Sequence, residues 1–175
     1  MLKTEFMSKL IEISISRQSL RLLEDGNELA SYSVSTSAFG PGELDGSQCT
    51  PRGAHVVSEL IGAGAKPGSV FVGREFTGEV WSKQLDEANP DRDWILSRII
   101  WLDGCEPGVN QGKSTDINGN EQSCDTKHRY IYIHGTSPEE PLGVPYSHGC
   151  IRMDMHAVIE LFDALEPDVP VQINP

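Results

Sequence analysis

From Leu10 onward the chain alternates between apolar and polar residues: Ile11, Ile13 and Ile15 stand between Glu12, Ser14 and Ser16. Residues two apart share one face of a strand, whereas a helix brings i, i+3 and i+4 together, so this pattern fits a half-buried strand. Leu20 to Leu23 continue extended, Glu24-Asp25-Gly26-Asn27 supplies turn residues, and Leu29 to Ser35 reads as the returning strand of a hairpin. Ala54 to Leu60, Ser69 to Val72, Arg129 to His134 and Val169 to Ile173 read as further strands, with Tyr130, Tyr132 and His134 on one face. Trp94 to Leu102 is apolar nearly throughout; it reads as a strand, and a buried helical segment has the same pattern. One amphipathic helix is legible, because Val158, Leu161, Phe162 and Leu165 form a single stripe, with Asp154 as its N-cap and Pro167 barring continuation. Residues 36–53 and 103–127 are rich in turn formers and read as loop, the second being the longest irregular stretch. The expectation is one mainly-β domain over residues 1–175 with a few short helices.

Charge narrows the partners. The formal net charge is −12 over 175 residues, which repels nucleic acid and anionic membranes. A small anionic substrate then needs a local arginine. No apolar run is long enough to span a bilayer. The opening MLKTEFMSKLIEISIS carries Lys3, Glu5, Lys9 and Glu12 and lacks the apolar core and cleavage site of a secretory signal, so a cytoplasmic protein without a membrane anchor is expected. Cys49, Cys105, Cys124 and Cys150 form no CxxC pair; no metal or cofactor is expected, and in a reducing compartment the thiols should be free. Cys105 and Cys124 bracket a polar loop and could pair on export.

The chemistry concentrates in Ile133-His134-Gly135-Thr136 and Ser147-His148-Gly149-Cys150-Ile151-Arg152-Met153. A free thiol is mostly protonated at neutral pH, and a neighbouring imidazole can remove its proton. Two histidines are available. His148 lies in the turn holding Cys150 and need not face the sulfur. His134 ends a strand and can be folded back across a Pro- and Gly-rich loop, so it reads as the general base and then the acid for the leaving amine. A backbone carbonyl near Gly135 is a reasonable partner for its second nitrogen. Gly149 permits unusual dihedrals, so amides around Gly149 and Cys150 can meet an oxyanion. Such a pair predicts a hyper-reactive Cys150.

This segment resembles the signature of the L,D-transpeptidase (YkuD-type) catalytic domain: a histidine, a spacer, then Ser/Thr-His-Gly-Cys, an apolar residue and Arg or Asn. Ile11 to Gly26 resembles the family's opening hairpin, and Thr50-Pro51-Arg52-Gly53 its Thr-Pro-x-Gly turn. Arg129 to Thr136 and Leu142 to Met153 resemble its core strand and active-site loop. The resemblance implies a β-sandwich with Cys150 as nucleophile, His134 as base, His148 and Gly149 at the oxyanion turn, and Arg152, with Gly135, at the substrate side. It implies peptidoglycan stem peptides or muropeptides as substrates. The chain is most similar to signal-less members that act as L,D-carboxypeptidases in peptidoglycan recycling; the alternative is an L,D-transpeptidase forming crosslinks or exchanging D-amino acids.

Plainer readings stand beside these. His148 could brace the turn. Arg152 reads equally as a salt-bridge residue, and Arg129 is a weaker substrate cation. His55, His128 and His156 read as solvated or core-edge, Trp81, Trp94 and Trp101 as core, and Cys49 as incidental. A papain-like protease places its cysteine before its histidine, the reverse of the order here. A non-catalytic binding module would not need both Cys150 and His134.

Overall fold

A computed structural model describes residues 8–175. Residues 1–7, the first part of the opening segment on which the leader reading rests, lie outside the described residues. The chain begins as a meander: β1 (Lys9–Ser14), β2 (Ser19–Glu24) and β3 (Asn27–Ser33). Leu10 to Leu23 is therefore two strands, where the alternation suggested one. The break is made by Gln18, at φ 50, whose side-chain amide donates to the Ile15 carbonyl and Thr36 Oγ1 and accepts from the Thr36 N–H. A buried amide satisfied on both sides stabilises a turn that periodicity does not reveal.

β4 (Gly53–Ile61), β5 (Ser69–Val72) and β6 (Glu75–Val80) follow, then a short α1 (Lys83–Glu87) and β7 (Leu96–Gly104). β7 lies between β4 and the strand Tyr132–Thr136, and both its faces are covered. Ile100 and Leu102 enter the main core, while Ile99 and Trp101 pack on the other side with Phe71 and Tyr132. A strand buried on two faces reads as a continuous apolar run, which is why its periodicity was ambiguous.

The 103–127 stretch is not wholly irregular. β8 (Lys113–Thr115) and β9 (Glu121–Ser123) form a two-stranded hairpin, turned by Asp116, whose carboxylate accepts from the Asn118 and Asn120 amides. β10 (Tyr132–Thr136), β11 (Ile151–Asp154), α2 (Ala157–Asp163) and β12 (Pro170–Asn174) complete the chain. Tyr130 precedes β10 in a turn at φ 56 and so is not part of the strand, though its ring packs on Trp101 beside that of Tyr132. α2 carries the expected stripe through Val158, Leu161 and Phe162. The N-cap is His156 and not Asp154, but Asp154 still accepts from the amides of His156 and Ala157, satisfying donors that open the helix.

The main sheet runs β11-β10-β7-β4-β12-β1-β2-β3, with β5 and β6 added beside β7. It is strongly curled: Ser35, just after β3, exchanges both backbone hydrogen bonds with Arg152 of β11, so the two ends of the strand order meet. Residues from both halves, including Ile11, Ile13, Leu20, Leu22, Ile100, Ile133, Ile151 and Val171, fill one core between them, capped by α2. The result is the mainly-β architecture expected, with two short helices among the described residues. Each such buried side chain contributes roughly 1.5–3 kcal/mol by leaving water. Among the described residues no helix is long and apolar enough to cross a membrane.

Candidate active site

β10 and β11 run parallel, with His134 opposite Arg152 and Ile133 opposite Ile151. Ile133, Ile151 and Met153 take the core face. Alternation therefore sends Tyr132, His134 and Arg152 to the opposite face. Cys150 lies one residue before β11 and packs beside Phe71, Ile99, Tyr132 and Trp101 on that same side. Sulfur and imidazole thus occupy one face of adjoining chain segments, two residues apart in register.

The sulfur is held by backbone. The Tyr132 N–H donates to Cys150 Sγ at 3.3 Å, and the thiol donates to the Tyr130 carbonyl at 3.3 Å. Burial pushes the Cys150 thiol up to about 11; the charge of Asp93 acts in the same direction, and the Tyr132 N–H and Arg152 act against it. His134 is fully inside the protein, and its Nδ1 lies 2.8 Å from the Gly135 carbonyl. A carbonyl only accepts, so Nδ1 carries the proton and Nε2 presents a lone pair. Burial lowers the His134 pKa, with Asp93 and the Gly135 carbonyl opposing the shift. At neutral pH both groups are uncharged at rest. A hyper-reactive thiolate, expected from the motif, does not follow from this environment.

Ser147 organises the turn between them. Its hydroxyl donates to the Cys150 carbonyl at 2.6 Å and accepts from the Gly149 N–H at 3.2 Å. The Gly149 amide is thereby engaged within the turn and is not free to meet an oxyanion. Gly149 has φ 130, and a Cβ there would lie 3.4 Å from both the Cys49 carbonyl oxygen and Ile131 Cδ1. Its own carbonyl accepts from Thr50 Oγ1 at 2.9 Å, and Thr50 Oγ1 accepts in turn from the Ser37 amide. The Thr50-Pro51-Arg52-Gly53 turn thus fixes the catalytic turn from below. The His148 ring is exposed, 6.4 Å from that of Phe39.

Arg152 is buried and already paired, with Asp93 at 2.8 Å and Glu140 at 3.4 Å. To hold a substrate carboxylate it would first have to release one of these. Gly135 is also buried; a Cβ there would lie 2.5 Å from the Leu96 carbonyl oxygen, and what it offers the site is its carbonyl. Arg129 donates to the carbonyls of Gly42, Glu43 and Cys49, clamping the loop beside the site. His55 is buried and bonded at both nitrogens, to the Gly53 carbonyl and Thr126 Oγ1, and so is not solvated. His128 and His156 are exposed. All four cysteines are free; Cys105 is exposed and Cys124 buried.

Three site residues were missed in the sequence. Asp93 sits in the charged run Asp91-Arg92-Asp93 just before an apolar strand, where that contrast was the available signal. Thr50 was noticed for its turn and not for its hydrogen bond. Arg74, beside Tyr132, gave no signal at all.

The L,D-transpeptidase catalytic-domain family (YkuD) matches residues 8–173. The chain belongs to this family. Comparison with curated proteins returns no match. Among solved structures, an L,D-transpeptidase from Mycobacterium smegmatis is similar at 14% identity and TM-score 0.52, covering 97% of this chain and 59% of its own. Bdellovibrio bacteriovorus Bd1075 is similar at 15% identity and TM-score 0.55, covering 98% and 49%. L,D-transpeptidase 3 from Mycobacterium tuberculosis, solved with a faropenem-derived adduct, is similar at 16% identity and TM-score 0.51, covering 97% and 61%. At these identities the likeness is one of fold, and this L,D-transpeptidase-family chain spans about half to three-fifths of the length of those proteins.

Proposed function

We propose that this family member is a cysteine-dependent L,D-carboxypeptidase that removes the terminal D-Ala from peptidoglycan tetrapeptides, acting in the cytoplasm on recycled muropeptides, with residues 1–175 as one catalytic domain. The observation that carries the acyl-transfer chemistry is the tethered His134: Nδ1 is committed to the Gly135 carbonyl, so only Nε2 is free to act as a base on the face that holds Cys150.

In this mechanism the thiol leaves the Tyr130 carbonyl and gives its proton to His134 Nε2 as sulfur attacks the carbonyl at the L-centre of the diamino acid. The oxyanion is met by the amides of His148 and Cys150, in the turn that Gly149 allows. Asp93 stabilises the imidazolium, and Arg152 holds Asp93 in place; in this reading Arg152 is a positioning residue. The tetrahedral species collapses, His134 protonates the departing D-Ala nitrogen, and a thioester remains on Cys150. Water then gives a proton to His134 and attacks the thioester. Tripeptide leaves as its carboxylate and the thiol is restored.

Water is favoured as acceptor by charge. A protein of net charge −12 is repelled by a wall rich in free carboxylates, where a crosslinking enzyme must find its second strand. A soluble tetrapeptide needs only one local cation. Purified protein is incubated with tetrapeptide, with and without excess D-amino acid. Tripeptide and D-Ala should dominate; crosslinked dimers or exchanged D-residues as main products would replace this reading with transpeptidation. Acylation of Cys150 by faropenem, followed by intact mass, tests the nucleophile independently of the acceptor.

A further inference from the structure

We propose that Arg74, on the turn between β5 and β6, captures the free α-carboxylate of the substrate's C-terminal D-residue and so restricts the site to chain ends. The inference rests on the carboxypeptidase reading and names the specificity residue of that site.

The first ground is which cations are free. Arg152 is held by Asp93 and Glu140, Arg52 by Glu43, Arg92 by Glu79, and Lys127 by Glu59. Arg129 is spent on backbone carbonyls. Arg74 has no ion-pair partner among the described residues; its one hydrogen bond runs from Nη1 to Tyr132 Oη at 3.1 Å. A guanidinium has five donors in a rigid fork, so most of this one is open to a carboxylate.

The second ground is place. The guanidinium carbon lies 5.0 Å from the centre of the Trp101 ring and 4.9 Å from that of Tyr130. Stacking of this kind orients the fork without neutralising it. The same two tyrosines grip the nucleophile through backbone, Tyr130 by its carbonyl and Tyr132 by its N–H. Tyr132 therefore spans from sulfur to guanidinium. A terminal carboxylate lies one residue, roughly 3.5 Å, beyond the scissile carbonyl, on the scale over which Tyr132 links the two groups.

The third ground is conformational. Gly73 and Arg74 have φ 57 and 68, the two central residues of a tight hairpin turn joining Val72 to Glu75. Such turns favour Asn-Gly or Gly-Gly, and a long side chain at φ 68 is strained. Strain retained beside a nucleophile points to use. In a protein of net charge −12, an unpaired arginine at this spot is also the local attraction a tricarboxylate peptide requires.

The test uses the full chain and two probes, L-Ala-γ-D-Glu-meso-diaminopimelyl-D-Ala and its C-terminal carboxamide. Wild-type kcat/KM should fall on the order of 100-fold from acid to amide. Arg74→Gln should lose a similar factor on the acid and little on the amide, and Arg74→Lys should recover part of the acid rate. Unchanged alkylation of Cys150 by iodoacetamide in both variants shows that the site is intact; if Arg74→Gln fails this control, Arg74→Lys carries the comparison. Equal wild-type rates on the two probes, or an equal loss on both in the variants, overturns the assignment to Arg74 while leaving the carboxypeptidase standing. No tripeptide from either probe with the wild type overturns both.

Discussion

His134 and Arg152 are register partners across the parallel pair β10–β11, and the Asp93 carboxylate acts on both, 2.8 Å from the guanidinium and raising the pKa of the imidazole. Removing the carboxylate charge should destabilise imidazolium. Asp93→Asn should move the acid limb of kcat/KM to lower pH and lower kcat on the order of tenfold, the equivalent of about 1.4 kcal/mol. A pH–rate profile checks it; an unmoved limb would remove Asp93 from the site.

Cys150→Ala should abolish thioester formation, seen as loss of the acyl-enzyme mass, and Cys150→Ser should do nearly the same because an alcohol is far less acidic. His134→Ala should cost roughly 10²–10⁴ in rate with the fold retained by circular dichroism. Full turnover in Cys150→Ala would end the nucleophile assignment.

With its thiol pushed up to about 11, Cys150 should be slow to alkylate at neutral pH. Its rate with iodoacetamide, followed by peptide mass spectrometry, should still be climbing above pH 9, where an ordinary thiol levels off. Stability follows with the sign of linkage: the unfolded thiol ionises first, so above about pH 9 each further unit favours unfolding until the folded thiol also ionises. A plateau of alkylation near neutrality would instead mean a resting thiolate–imidazolium pair.

The meeting of Cys150 and His134 on one face was legible because both lie in one short motif, and so was the Gly135 carbonyl as His134's partner. The helix α2 was legible because only one of its faces is buried, though Leu165, counted in its stripe, falls past its end at Asp163. Asp93, Thr50 and Arg74 were not, since each comes from a loop or turn brought in by the curl of the sheet, and no local periodicity encodes that. β6 and α1 were missed for a related reason: β6 has only one half-buried residue and α1 no buried one, so neither carries a hydrophobic stripe. The break at Gln18 rests on side-chain hydrogen bonds to Ile15 and Thr36 that a pattern of apolar residues does not register.

Thr50→Val removes the donor to the Gly149 carbonyl and the acceptor for the Ser37 amide, keeping the shape. Both groups are buried, so unfolding in urea should show a loss of about 1–3 kcal/mol. Because Gly149 positions the oxyanion amides, kcat should fall in the folded variant as well. A stability loss without a kinetic one would confine Thr50 to holding the loop.

Arg152 separates two roles that a motif cannot. As a direct substrate cation, its replacement by lysine should raise KM. As the partner of Asp93 and Glu140 it should act on the base: Arg152→Lys keeps a charge but loses the fork that engages two carboxylates, so kcat should fall with KM nearly unchanged. Arg152→Met goes further, because it leaves Asp93, whose charge acts on His134, without its counter-charge. The arginine lowers the pKa of the imidazole, so its loss should raise it and carry the acid limb of kcat/KM to higher pH, opposite to Asp93→Asn. Asp93 is half exposed and Glu140 partly so, which screens both pairs, so the stability loss stays well short of that for a buried ion pair; the profile is still measured well below the melting temperature. Opposite displacements in the two variants would establish that Asp93 and Arg152 set the protonation of His134 from either side; a raised KM in Arg152→Lys with an unmoved limb would return Arg152 to the substrate.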